Sequence, residues 1–128
     1  MYKNLIAIGI GGALGTLCRY FINLQTLSTG LPIGTVIENL IGSMLLGLFT
    51  GWVLHKKTKE WFSAGIGVGF CGGFTTMSTL AADTISLNGQ VSFIASIIYL
   101  VVSIFGGIVL AFGGLVLGAK WSARWNGR

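Results

Sequence analysis

The sequence predicts an all-α membrane protein, a single domain of four transmembrane helices over residues 1–128. Of its residues, 53% are hydrophobic and 9% are charged, against roughly 25% charged residues in soluble domains. The mean hydropathy is +0.84. A helix needs about 20 apolar residues to cross ~30 Å of hydrocarbon, so a chain of 128 residues has room for four spans and short connections. A soluble enzyme is excluded by this composition.

Four apolar stretches define the spans, at residues 5–24, 33–54, 61–86 and 91–118. A Thr/Ser/Gly/Pro loop at 25–32, a basic turn at 55–60 and a short polar segment at 88–90 separate them. The first stretch is interpreted as a span and not as a cleaved signal peptide, because Leu17 before Cys18 is too bulky for a cleavage site.

Glycine recurs at four-residue spacing, which places small residues on one face of a helix. The sets are Gly11 and Gly15; Gly47 and Gly51; Gly65, Gly69 and Gly73; Gly114 and Gly118. Such faces allow helix backbones to approach closely, so this pattern predicts tight packing and no chemistry. The two cysteines, Cys18 and Cys71, have no metal-ligand spacing and are interpreted as buried small hydrophobic residues.

Polar residues at membrane depth should face protein or a water-filled path, because hydrocarbon cannot satisfy them. They recur at helical spacing on the second stretch (Thr35, Asn39, Ser43) and on the fourth (Ser92, Ser96, Tyr99, Ser103). In the third stretch, residues 71–80 contain two glycines and four hydroxyls. These residues fit a broken helix whose free backbone groups suit ion binding. They also fit a continuous helix whose hydroxyls bond back to its own carbonyls.

The segment 72–80, GGFTTMSTL, resembles the third-helix signature G-G-x-[ST]-T-F-S-T-F of the Fluc (CrcB) fluoride channels. Three further matches agree in order and spacing: the first-helix motif ending at Arg19, the second-helix motif 34–43 around Asn39, and fourth-helix pore positions at Tyr99 and Ser103. The resemblance implies an antiparallel dimer of four-helix subunits with a broken third helix and two narrow pores. It implies passive fluoride export across the bacterial cytoplasmic membrane, relieving fluoride toxicity.

The resemblance also implies a structural Na⁺ buried at the dimer interface. In the family, backbone carbonyls at the third-helix break of both subunits bind it, and these positions correspond here to Gly72 and Thr75. Carbonyl oxygens suit a hard cation, and an unwound backbone makes them available. The expected partners are therefore fluoride, Na⁺, membrane lipid and a second, inverted subunit.

Fluoride must exchange its hydration water for hydrogen-bond donors to cross the membrane. The candidate donors are Asn39, Ser78, Thr79, Tyr99 and Ser103. Family pores also use the electropositive edges of phenylalanine rings, but this chain has Met77 and Leu80 at those positions. Two interpretations stay open: the apolar replacements are tolerated, or the chain is one half of a heterodimer whose partner supplies the rings.

The distribution of basic residues favours the heterodimer. Four spans place both termini on one side, which has seven of the eight basic residues: Lys3, Lys56, Lys57, Lys59, Lys120, Arg124 and Arg128. The positive-inside rule then puts both termini in the cytoplasm. A chain that inserted in both orientations would have nearly balanced ends. An inverted paralogous subunit is therefore the expected partner, in preference to a second copy.

Three charged residues fall near the non-cytoplasmic vestibule. Asp83 aligns with an acidic position after the family signature, and Glu38 replaces a residue that is usually apolar in the family. Arg19 and Glu38 lie at similar depth inside their spans, so we expect them to pair. His55 and Glu60 belong to the basic turn and should be solvated.

Two alternative functions remain open. A small proton-coupled multidrug exporter has similar length and glycine content, but it needs a buried acid in the first helix, which has none. A non-conducting assembly subunit of a fluoride channel is the other. An enzyme is disfavoured because the sequence has no nucleophile-base pair and no phosphate-binding loop. Nucleic-acid binding is disfavoured because the basic residues lie between apolar stretches.

Overall fold

The computed structural model describes residues 1–54 and 56–126, with side chains up to residue 124. These parts of the chain contain helices and no strand. The helices are α1 (Tyr2–Thr26), α2 (Ile33–Val53), α3 (Glu60–Ser63), α4 (Gly72–Phe74), α5 (Met77–Gln90) and α6 (Phe93–Asn126). The predicted solvation of His55 and the share of Arg128 in the basic end lie outside the described residues.

A tight turn joins α1 to α2 and reverses the chain. A 3₁₀ turn at Leu27–Thr29 is followed by Gly30, whose φ of 67° lies in the left-handed region that glycine adopts without a side-chain clash. Pro32 then precedes the first turn of α2, where its missing N–H costs nothing. The turn is compact because Thr29 Oγ1 bonds to the carbonyl oxygens of Thr26 and Leu31 at 2.7 and 3.0 Å.

The third predicted span is broken in the middle. Its first half runs through α3, a π-helix over Ala64–Cys71 and α4, and its second half is α5. Between them Thr75 (ψ 157°) and Thr76 (ψ 125°) are extended. The broken-helix interpretation is therefore confirmed, although Thr75 Oγ1 also bonds back to Cys71 at 3.0 Å. Among the described residues, three unbroken helical segments are long and apolar enough to cross a membrane: Tyr2–Thr29, Ile33–Val53 and Phe93–Arg124.

The glycine sets found in the sequence form the contacts between helices. Gly11 and Gly15 of α1 lie against the backbone of Gly65, Phe70 and Phe74, so α1 runs parallel to the third span. Gly47 and Gly51 of α2 lie in the same way against Ala111, Leu115 and Ala119 of α6. A methyl group on any of these glycines would overlap a neighbouring backbone atom. The predicted packing role of glycine is confirmed, and the protomer consists of two parallel helix pairs.

Apolar side chains cover the outside of this protomer. The buried hydrophobic residues among those described are few: Cys71, Phe74, Leu80 and Leu87. Large residues such as Ile85 and Val109 are 74% and 68% exposed, as expected for surfaces that face lipid or another subunit. Cys71 is buried as predicted, but Cys18 is exposed on α1, so the prediction for Cys18 is wrong.

Six of the seven basic residues in the described part of the chain lie at one end of the molecule, and Arg19 lies toward the other. The start of the third span packs beside the start of α1, where Gly65 lies against Ala7, and the end of α2 packs beside Ala119 of α6. At 34 residues, α6 is about 51 Å long and exceeds the thickness of the hydrocarbon core. Lys120 and Arg124 lie in its last turns, at the same end of the molecule as Lys56.

Candidate functional site

Asn39 of α2 bridges the break in the third span. Its Oδ1 accepts the backbone N–H of Thr76 at 2.8 Å, and its Nδ2 donates to the carbonyl of Thr76 at 3.0 Å. In a continuous helix, that N–H would bond to the carbonyl of Gly72. Asn39 and Thr76 are 8% and 7% exposed, so the amide gives buried partners to the N–H that the break frees and to the carbonyl of the same residue. A third contact, from Nδ2 to Ser103 Oγ at 3.4 Å, joins α6 to the bridge.

Thr76 also begins the next helix. Its Oγ1 accepts the backbone N–H of Thr79 at 3.2 Å, which is the bond of an N-cap residue. The same hydroxyl donates to Thr79 Oγ1 at 3.0 Å and lies 3.3 Å from Ser78 Oγ. The hydroxyls of the signature therefore converge at the start of α5 and not along a continuous helix.

A second polar contact lies one helical turn away on both α2 and α6. Asp83 Oδ2 accepts hydrogen bonds from Thr35 Oγ1 at 2.7 Å and from Tyr99 OH at 2.8 Å. Two donors on one carboxylate oxygen stabilise its negative charge. Thr35 precedes Asn39 by four residues and Tyr99 precedes Ser103 by four, so the two polar contacts are stacked along the same pair of parallel helices.

Two clefts open on either side of this stack. The outer cleft, of about 430 Å³, has Asp83, Thr35 and Thr79 in its wall, near the turn between α1 and α2. The inner cleft, of about 350 Å³, is lined at the break by Asn39, Thr76 and Ser103, with Met77 and Leu80. A third groove, of about 550 Å³, is more apolar and lies toward the basic end. The bridge between Asn39 and Thr76 therefore lies in the wall of the inner cleft, and the Asp83 contact lies in the wall of the outer cleft.

Some of the predicted fluoride donors already use their protons in hydrogen bonds within the protein, and others do not. The hydroxyl proton of Tyr99 goes to Asp83, and both amide hydrogens of Asn39 point at Thr76 and Ser103. Ser103 Oγ accepts from Asn39, and no described group accepts its own proton. Thr79 Oγ1 is likewise an acceptor in its contact with Thr76. Ser103 and Thr79 are thus the donors with a free proton, one in each cleft.

The remaining signature residues differ in environment. Met77 is 70% exposed, and Ser78 and Gly72 are also exposed on the protomer surface, whereas Leu80 is 2% exposed. Met77 and Leu80 both reach the inner cleft. The two residues that stand in place of the family phenylalanines are therefore not equivalent: one is enclosed by its own chain and the other is open to a neighbour.

The expected ion pair between Arg19 and Glu38 is not formed. Glu38 is 0% exposed, and neither carboxylate oxygen has a hydrogen-bond partner among the described residues. Arg19 is half-buried and lies close enough to act on Glu38 electrostatically without touching it. The expectation of a direct pair was wrong for this protomer, because the carboxylate is enclosed by its own helices and not by the guanidinium.

Two carbonyls at the break have no acceptor role within the described residues. The N–H groups that would bond to Gly72 and Thr75 in a continuous helix donate to Asn39 and to Thr76 Oγ1 instead. The neighbouring carbonyl of Gly73 does accept a bond, from Thr16 Oγ1 at 3.3 Å. No group of three or more His, Cys, Asp or Glu side chains is placed to bind a metal in the described residues. A cation at the break would therefore be bound by backbone oxygens.

Thr35 and Thr76 are site residues in the structure that were not predicted from the sequence. Thr76 could have been found as an N-cap, because threonine is one of the residues preferred at the position just before a helix. Thr35 was recognised in the polar stripe of the second span, but its partner Asp83 is 48 residues away. That contact depends on the packing of α2 against the third span, which spacing within one helix does not reveal.

The chain matches the model of a known protein family over the residues that form this site. The family model described as "CrcB-like protein, Camphor Resistance (CrcB)" matches residues 6–115. The chain belongs to the CrcB family. The match covers the bridge, the break and the Asp83 contact, and it confirms the resemblance drawn from the motifs.

Relatives within the CrcB family are similar over almost the whole chain. The "Fluoride-specific ion channel FluC 2" of Halalkalibacterium halodurans is 53% identical over 122 residues, covering 95% of this chain and 90% of the relative. The protein of the same name from Bacillus subtilis is 42% identical, with 92% and 89% covered. The "Fluoride-specific ion channel FluC" of Methanopyrus kandleri is 42% identical, with 83% and 82% covered. The matches therefore cover most of this CrcB chain and most of each relative. Because the chain belongs to the CrcB family, nothing supports the alternative of a multidrug exporter.

The bridge makes Asn39 the residue on which the break depends. We expect Asn39→Ala to lower the free energy of unfolding by about 2–4 kcal/mol, because two buried backbone groups lose their partners. Asn39→Asp should be less damaging, since it keeps the acceptor for the Thr76 N–H. Thermal unfolding in detergent would measure both, with Thr50→Ala, an exposed position on α2, as the control. Equal stability of Asn39→Ala and Thr50→Ala would contradict the bridge.

Proposed function

We propose that this chain is a subunit of a fluoride-selective channel that exports fluoride passively across the cytoplasmic membrane of a bacterium and so relieves fluoride toxicity. The observation that supports it best is the stack of polar contacts at the break of the third span, with one free hydroxyl donor in each adjoining cleft. Family membership and the printed names of the relatives support the same function.

The chemistry of the site suits a small, strongly hydrated anion. Fluoride leaves water only if donors replace its hydration shell, and Ser103 and Thr79 offer protons that no described group accepts. Tyr99 donates to Asp83 in the wall of the outer cleft, so its predicted role as a fluoride donor requires that this bond break. Asn39 has a structural role first, since both of its amide hydrogens are engaged. Ser78 is exposed and would meet fluoride only on a face covered by another subunit.

We place the channel in an antiparallel dimer. Three residues of the signature, Gly72, Met77 and Ser78, are exposed on the protomer surface. Membrane lipid cannot satisfy backbone carbonyls at this depth, so a second protein surface must cover them. Met77 lines the inner cleft and is exposed, so a second subunit that covers Met77 would close the cleft into a pore.

A Na⁺ at the centre of this dimer fits the residues present. The carbonyls of Gly72 and Thr75 accept no bond within the described part of the chain, and two copies would supply four oxygens. Hard cations favour such oxygen ligands. The positive charge of the ion would stabilise the negative ends of these carbonyl dipoles. The proposed ion is structural and is not transported.

Replacing Na⁺ with Rb⁺ tests the cation site. We expect anomalous density from Rb⁺ between the two breaks, within reach of the carbonyls of Gly72 and Thr75. Ca²⁺ serves as the control ion and should not replace it, because four neutral carbonyls do not balance a double charge. Dimer interfaces that contain no monovalent cation, with these carbonyls bonded to protein, would refute the site.

Fluoride efflux from liposomes tests the channel itself. Vesicles loaded with fluoride and containing this protein, with its partner where one is needed, should release fluoride without a proton gradient and should retain chloride. Ser103→Ala should lower the flux about tenfold, because one hydrogen bond to a charged ion is lost. Ser96→Ala is the matched control on α6, since Ser96 Oγ is buried but bonds to its own helix at Phe93. Equal chloride flux would refute a fluoride channel.

We further propose that the partner is an inverted paralogous subunit, with both termini of this chain in the cytoplasm. All but one of the described basic residues lie at one end of the protomer, and this bias supports a single orientation: these are Lys3, Lys56, Lys57, Lys59, Lys120 and Arg124, with Arg19 the exception. Met77 is exposed, so a ring from the partner could cover it. The non-conducting assembly subunit remains the alternative for a chain without signature phenylalanines.

Accessibility of a cysteine added at the C-terminus tests the orientation. In cells, we expect a membrane-impermeant thiol reagent to leave it unlabelled, and permeabilisation to expose it, in a background where Cys18 is replaced by alanine. Coexpression with an inverted sibling should raise fluoride flux well above that of this chain alone. Two equal populations of orientation, together with full flux from this chain alone, would instead establish a homodimer.

A further inference from the structure

Glu38 is a buried acidic residue that the proposed path of fluoride does not use. It lies on the face of α2 between Gly34 and Gly42, each four residues away. Gly34 lies against Asn23 and Thr26 of α1, and Gly42 lies against Phe74 and Thr75 at the break. Glu38 is therefore enclosed where α1 and the third span meet α2, one residue before the asparagine that bridges the break.

The enclosure of Glu38 is complete within one protomer. The residue is 0% exposed, and both carboxylate oxygens are buried without a hydrogen-bond partner among the described residues. A second subunit cannot reach these oxygens unless this chain first rearranges, because no surface of the side chain is accessible. An ionised carboxylate in such a place is strongly disfavoured unless a cation or several donors compensate it.

The charged and titratable groups that act on Glu38 come from three neighbouring elements. Arg19 belongs to α1, Asp83 to α5 and Tyr99 to α6, while α2 itself contributes no other ionisable side chain. Tyr99 is neutral and donates its proton to Asp83. With Arg19 positive and Asp83 negative, the net charge of the cluster depends on Glu38: it is zero when Glu38 has a proton and −1 when it does not.

We propose that Glu38 is a proton-binding site that controls the charge of the outer cleft and through it the rate of fluoride entry. The neutral acid fits the enclosed, unpartnered position that the structure shows. Loss of the proton leaves one negative charge beside Asp83 and Asn39, and this charge repels an anion that approaches Thr79. Fluoride flux is therefore highest at low pH and falls as pH rises. This inference rests on the proposed function, because fluoride flux is its physiological effect.

The first test is the pH dependence of fluoride flux through the dimer that conducts, in liposomes at about pH 5.5 and about pH 8.5. Flux should fall about fivefold between them, as expected for one added charge near the path. Glu38→Gln, which keeps the shape and cannot lose a proton, should keep the high flux at both values. Glu60→Gln is the matched control, since Glu60 is exposed in the first turn of α3. Protein-free liposomes correct for the permeation of HF at low pH.

The second test measures the proton directly and does not depend on transport. Infrared difference spectra between the two pH values should show a protonated carboxyl band that disappears at high pH and is absent from Glu38→Gln. If neither the wild type nor any variant conducts fluoride, only the channel proposal fails. The carboxyl band then still shows whether Glu38 binds a proton. A flux that is unchanged by pH, or a pH dependence that persists in Glu38→Gln, overturns the regulatory role. A carboxyl band that is identical in Glu38→Gln overturns the proton site.

Discussion

The exchange of backbone hydrogen bonds between Asn39 and Thr76 is the interaction on which the rest of the site depends. A break in a membrane helix leaves backbone groups without their helical partners, and the Asn39 side chain supplies an acceptor for the N–H of Thr76 and a donor to its carbonyl. The break in turn lets Thr76 begin α5 as an N-cap and leaves the carbonyls of Gly72 and Thr75 unengaged. Hydroxyls and carbonyls are thereby gathered at one depth of the membrane.

Close contacts between helix backbones, and not a hydrophobic core, hold these polar groups in position. Four buried hydrophobic residues are too few to stabilise the described part of the chain, and lipid offers no hydrophobic driving force between helices. Gly11, Gly15, Gly47 and Gly51 compensate by bringing helix backbones into direct contact, as two parallel pairs. Rigid pairs then fix Thr35 and Asn39 opposite Tyr99 and Ser103, so helix packing sets the spacing of the polar contacts.

The sequence predicted what depends on neighbours along the chain, and it missed what depends on packing between helices. Hydropathy located the spans, glycine spacing located the packed faces, and the glycines and hydroxyls of residues 71–80 located the segment within which the third span breaks. Periodicity could not show that Thr35 and Tyr99 share the carboxylate of Asp83, or that Asn39 is occupied by the backbone. The expected pair of Arg19 with Glu38 failed for the same reason: similar depth in two helices does not make two side chains face each other.

The different environments of Met77 and Leu80 limit what a second subunit could change. Leu80 is enclosed by its own chain at 2% exposure, so any partner would meet the same packed leucine there. Met77 is 70% exposed beside the inner cleft, so its contacts depend on whatever surface covers it. A ring supplied by an inverted sibling could therefore restore an electropositive edge at the level of Met77, whereas at Leu80 the pore wall is set by this chain alone. An antiparallel dimer built from unlike subunits would consequently have two unlike pores.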